Sequence, residues 1–116
     1  MAREFERMRH PELAEAVERR ALVMIPFGQT EEHGPHLPVY TEWLVARRVA
    51  KEVADRLGEE VPNVVMSGLM YGYSTEHLTH WPGTIRMRQE TVIGMVRDLC
   101  ASLGEMGFRK IALISS

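Results

Sequence analysis

The 116-residue sequence holds a single cysteine, Cys100, which excludes an internal disulfide framework and suits a reducing compartment. Its position in a helical pattern reads as a small core residue rather than a nucleophile. Neither charge is in excess: 14 Lys and Arg against 16 Asp and Glu leave a formal net charge of −2. Without a basic footprint, nucleic acid is not expected as a main partner. No apolar stretch approaches the roughly 18 residues of a membrane span, so no membrane partner is expected either. The opening MAREFERMRH is too charged for the apolar region of a signal peptide, and the expected location is the cytoplasm. Phosphate-cradling GxxxxGK and GxGxxG strings after a strand are also missing, which disfavours nucleotide binding. Repeats, low-complexity tracts and linkers are absent. The length fits one domain with a modest core.

What the chain does have is concentrated chemistry in GQTEEHGPHLPVYTE, residues Gly28 to Glu42. Three carboxylates (Glu31, Glu32, Glu42) and two histidines (His33, His36) share this stretch with Pro35 and Pro38. Glu and His are oxygen and nitrogen ligands suited to a divalent transition metal, and the prolines and glycines fix a loop conformation.

Around it the pattern is alternating. His10-Pro11 and ELAEAVERR read as a short helix, with Pro11 in the first turn and Leu13, Ala14 and Val17 as its stripe. Met1 to Arg9 read as a solvated arm or contact segment. Ala21 to Gly28, Asn63 to Ser67 and Lys110 to Ser115 are apolar runs of the kind found in strands covered on both faces. Between them, a helix is expected from Glu42 to about Leu57, N-capped by Thr41, carrying Ala46, Val49, Ala50, Val53 and Leu57, and stopped by Gly58. Another is expected from about Glu90, with Val92, Val96, Leu99, Leu103 and Met106, ending at Gly107. The order helix, then β-α-β-α-β, implies an α/β fold with a parallel sheet and right-handed crossovers. Ligands in such sheets bind beyond the carboxyl ends of the strands. There the segments Phe27 to Thr41 and Gly68 to Arg88 emerge, with four of the five histidines. A last strand ending the chain leaves an unpaired edge, so the isolated chain is expected to associate.

Residues i and i+2 of an extended segment point to one side, so Glu31 and His33 could share a metal. The plain alternative is a solvated polar loop. Glu42, in a first helical turn, is favoured there by the dipole alone, and acquires a second meaning only if the prolines fold the loop back. In the later segment, Tyr73, His77, His80 and Trp81 could wall a substrate site with a histidine for proton transfer, or cap the core, or fill a subunit interface. Ser74 lacks a nucleophile-elbow context.

These residues resemble the creatininase (creatinine amidohydrolase) family. GQTEEHGPHLPVYTE is similar to its Gly-Ser-Thr-Glu-Gln-His-Gly-Pro-His-Leu-Pro followed by Thr-Asp. YGYSTEHLTHWPGTIRMRQET is similar to its Tyr-Gly-x-Ser-x-Glu-His…Pro-Gly-Thr block, and GFRKIALIS to the strand before its Asn-Gly-His-Gly-Gly-Asn. The resemblance implies a three-layer α/β/α fold with a mainly parallel sheet, incomplete here, since the chain would cover about the first half of a member. It implies a metal-dependent hydrolase of a cyclic amide or other small C–N substrate, assembled as a homo-oligomer (a hexamer in the family). The implied cofactor is a divalent metal, with zinc expected and manganese or iron as alternatives, two per complete site. By position, Glu31 and His33 match metal ligands, Glu42 stands where a bridging Asp is usual, and His36 supports the ligands from behind. The second block implies Tyr73, Ser74 and Trp81 against substrate and Glu76, His77 and His80 in catalysis. The Glu for Asp exchange points to a diverged branch, with ring opening by an inosose hydrolase of inositol catabolism as the alternative. A non-catalytic remnant that binds metal and mediates oligomerisation is the other.

Overall fold

The computed structural model describes residues 2–74 and 80–116. The elements run α1 (His10–Glu18), β1 (Leu22–Phe27), α2 (Thr41–Leu57), β2 (Asn63–Val65), α3 (Gln89–Met106) and β3 (Lys110–Ser115). All three strands are parallel, in the order β2-β1-β3. The chain therefore has the expected α/β class.

β1 is the centre because its side chains are apolar on both faces. Val23 and Ile25 meet Ala16, Val64, Leu103 and Phe108 on the side of α1 and α3. Met24 meets Ala50, Ala54 and Val65 on the side of α2. Helix ends fall where the sequence puts glycine: Gly58 follows α2, and Gly107, in the left-handed region, follows α3. No helix of the described residues is long and apolar enough to cross a membrane.

Four local expectations need correction. First, Thr41 is the first residue of α2, and Tyr40 caps it without a side-chain bond. The Thr41 hydroxyl instead donates to the Pro38 carbonyl at 2.6 Å, closing the turn before the helix. Second, β2 stops at Val65 rather than Ser67. Opposite its next rung lies Pro26, which has no N–H to donate, and the chain veers so that Leu69, not Gly68, reaches the Pro26 carbonyl.

Third, α2 lies on the sheet through Ala46, Ala50 and Ala54, while Val49 and Val53 are 44% and 38% exposed. Small residues let the helix axis come close, and that rotates the valines off the contact. Ala14 of α1 is likewise outside its buried face, which centres on Ala16. Fourth, β3 is not buried like β1; it pairs on one side only, and Leu113 is half exposed.

The N-terminal segment, read as a solvated arm or a contact segment, is the contact segment. Val65 donates to the Arg3 carbonyl, extending the sheet past β2, and Phe5 packs against Phe108. Glu6 accepts from the Ser67 amide and hydroxyl. Glu4 pairs with Arg47 of α2 and, at 3.5 Å, with Lys51. Burial opposes charging of Glu4, but Lys51 and Arg47, helped by Arg7, outweigh it and hold the carboxyl below its ordinary 4.5. A carboxyl whose folded pKa is depressed stabilises the fold above its unfolded pKa, and that contribution is lost as pH falls through the folded value. Glu4→Gln is therefore expected to melt below wild type at about pH 6, the gap closing towards about pH 3; thermal melts at stepped pH check this.

Candidate metal centre

β1 delivers its chain straight into the loop of residues 28–40, and that loop is knitted rather than loose. Glu31 donates its amide to the Val39 carbonyl at 2.9 Å, so the two arms run side by side. Gly34, at φ 69°, makes the reversal, and its amide donates to the Glu32 carboxylate at 2.9 Å. Buried Thr30 ties the loop to the later segment: its hydroxyl donates to the Met70 carbonyl at 2.8 Å, and its carbonyl accepts from Ile85 at 3.0 Å. The Glu32 amide donates to the Thr84 hydroxyl at 3.0 Å.

The first turn of α2 then closes over the exit of β1. A Cβ at Gly28 would lie 2.3 Å from the Trp43 amide nitrogen, so only glycine admits that approach. The Trp43 indole N–H donates to the Ser67 carbonyl at 2.7 Å, fixing the turn from the other side. Glu42 is thereby carried back to the loop.

One ligand atom each from Glu31, His33 and Glu42 lies within 4.8 Å of the others. His33 Nε2 is 2.7 Å from Glu42 Oε2, and both side chains are mostly covered. That approach is not in hydrogen-bond geometry, so His33 Nε2, like the buried Oε1 of Glu42, makes no hydrogen bond among the described residues. No Lys or Arg described reaches Glu31 or Glu42. A buried oxygen without a hydrogen bond carries a desolvation cost, and two carboxylates converging with an imidazole are the donor set of a divalent cation. The residues fit such an ion.

The other expected site residues are placed unevenly. Beside Glu42 is a cleft of about 250 Å³, lined also by Phe27, Gly28, Gln29, Tyr73 and Ser115. Tyr73 is partly exposed there, with the Arg86 guanidinium 5.0 Å over its ring. Ser74 is buried and its hydroxyl donates to Gln29 Oε1. His80 and Trp81 are exposed, Trp81 by 60%, and neither lines that cleft. His36 is exposed, with no hydrogen bond to the three clustered side chains among the described residues. Glu76 and His77 lie outside the described residues. Gln29 and the pins Thr30 and Thr84 were not anticipated from the sequence. The one visible hint was that Gln29 stands where the family string has Ser.

The family model described as creatinine amidohydrolase matches residues 6–116. The chain belongs to the creatininase family. This creatininase-family chain is 34% identical over 98 residues to the creatinine amidohydrolase of Pseudomonas putida, a match over 81% of the chain and 36% of that protein. With the 3-dehydro-scyllo-inosose hydrolase of Thermotoga maritima it shares 31% over 111 residues, 96% of the chain and 34% of that protein. Among solved structures, a manganese creatininase superposes with a TM-score of 0.89 at 30% identity, covering 97% of the chain and 44% of its own. A creatininase mutant of Zn-Zn type gives 0.88 with the same identity and coverage. The chain thus spans about a third of the length of these curated relatives. A divalent metal is supported by the manganese and zinc forms of these neighbours together with the clustered side chains here.

Proposed function

We propose that this chain contributes the first part of a hydrolytic metal centre, with Glu31, His33 and Glu42 as ligands, acting on a cyclic amide or other small C–N substrate. The carrying observation is the convergence of those three side chains, with the buried Oε1 of Glu42 left without a hydrogen bond. Its 116 residues act as one creatininase-like α/β domain. In this reading the ion is zinc, with manganese or iron as alternatives, two per complete site, in a cytoplasmic homo-oligomer.

A divalent ion held there would lower the pKa of a bound water towards neutrality and polarise a carbonyl. The chain's own groups do the rest. Glu31 and Glu42 would balance the positive charge, and His33 would supply a ring nitrogen whose position the loop fixes. Tyr73 and Gln29 face the same cleft as Glu42 and orient the small molecule. An imidazole or carboxyl of the later segment, from Glu76, His77 or His80, returns a proton to the leaving nitrogen. His36 steadies the loop from behind.

The competing substrate is an inosose, because the Thermotoga hydrolase matches nearly the whole chain and Glu42 departs from the family's usual Asp. Loading the chain with Zn²⁺ or Mn²⁺ and offering creatinine and 3-dehydro-scyllo-inosose separates them. Metal-dependent loss of one substrate, abolished by a chelator and restored by the ion, is the expected result. A chain that retains no ion after gel filtration removes the reading. One that retains the ion but turns over neither compound is the non-catalytic metal-binding and oligomerisation module.

A further inference from the structure

Gln29 lies between the end of β1 and the ligand Glu31, and its surroundings define one end of its carboxamide. Ser74 is 1% exposed, so its hydroxyl has no route to water. That hydroxyl donates to Gln29 Oε1 at 3.3 Å, long for an O–H donor, but the one bond the Ser74 hydroxyl makes among the described residues. With the oxygen end assigned to Ser74, the amide end, with its two N–H donors, is the free one. No group among the described residues accepts from it.

The stem of Gln29 is held as well. Gly72 crosses so close that a Cβ there would lie 2.9 Å from the Gly28 carbonyl and 3.5 Å from Gln29 Cβ. Gln29 and Glu42 line the same cleft of about 250 Å³, a volume near the lower end for small-molecule sites. A molecule that touches the Gln29 amide therefore sits beside a proposed metal ligand.

We propose that Gln29 determines specificity by donating from Nε2 to a carbonyl oxygen of the small molecule in this cleft. Ser74 is the positioning residue that fixes which way the carboxamide faces. This rests on the hydrolase reading above. A donor-only group at that point favours carbonyl-bearing rings over ligands that present an amine, and a site built around one such bond discriminates against a ligand lacking it.

The test uses the full chain loaded with Zn²⁺, with creatinine as the probe in titration calorimetry and zinc content read separately. Gln29→Leu and Gln29→Glu are each expected to weaken creatinine binding about tenfold, the size of one lost hydrogen bond, with zinc content unchanged. Ser74→Ala is expected to weaken it about threefold without moving the melting temperature, and to have no further effect in the Gln29→Leu background, because the two act as one unit. Wild-type affinity in Gln29→Leu, or a Ser74→Ala effect that persists in that background, overturns the proposal. Zinc retained by a wild type that binds no creatinine also overturns it while leaving the metal reading intact. Loss of both zinc and creatinine sinks the two together.

Discussion

Glu31→Ala and His33→Ala are each expected to weaken Zn²⁺ retention by about 100-fold or more, beyond the ten- to 100-fold typical of groups that only support ligands. Each deletes one of three converging side chains, and the remaining pair cannot enclose an ion. Glu42→Ala should match them. His36→Ala should fall within about tenfold of wild type, since His36 is exposed and makes no bond to the cluster among the described residues. Competition with a chelating dye, read alongside thermal melts, gives the comparison. The melts matter because two half-buried carboxylates brought together without a cation work against folding. With metal withheld, Glu31→Ala or Glu42→Ala is expected to melt at or above wild type; with metal added, wild type should rise past both. If all four proteins hold zinc equally, the ligand assignment is wrong.

Gly68→Ala is expected to cost about 3 to 4 kcal/mol, combining overpacking with left-handed strain. At φ 83° Gly68 lies in the left-handed region, and a Cβ there would fall 2.1 Å from the Pro26 carbonyl oxygen. That oxygen is fixed by the Leu69 amide at 3.0 Å, so the backbone has no room to yield. The melting temperature should drop by about 15 °C. Gly94→Ala is the control, because a Cβ at that position in α3 meets nothing within 4 Å. There the gain in helix propensity should stabilise by about 0.5 to 1 kcal/mol. Equal effects at the two glycines would show that the crossing at Pro26 is not the tight point described.

Much of this was legible in residue order. The apolar run of β1, the glycine stops after α2 and α3, and the placing of the histidine-bearing segments beyond the strands all follow from local composition and periodicity. The approach of Glu42 to Glu31 and His33 was readable only as a conditional, because it depends on where Pro35 and Pro38 aim the chain. Their effect is set by the Glu31–Val39 backbone bond, which no spacing rule specifies. The valines of α2 misled for a related reason: periodicity identifies a stripe, but the closeness allowed by Ala46, Ala50 and Ala54 decides which edge of it touches the sheet. Residues 2–9 were readable only as an arm or a contact segment, because their partners, Val65, Ser67 and Arg47, are far along the chain. Gln29 went unnoticed because a lone amide has no pattern, and its meaning comes only from a buried serine 45 positions later.

The alanine face of α2 has one more consequence. Alanine side chains let helix and sheet approach closely but remove little apolar surface from water, so that layer is near yet lightly fastened. Glu42 rides on it, whereas Glu31 and His33 hang from the best-shielded strand. Warming or mild denaturant should lift the helix first and pull the third donor away while β1 is still in place. An ion bridging the two layers would then act as a rivet, and its departure would be the earliest step in undoing the molecule.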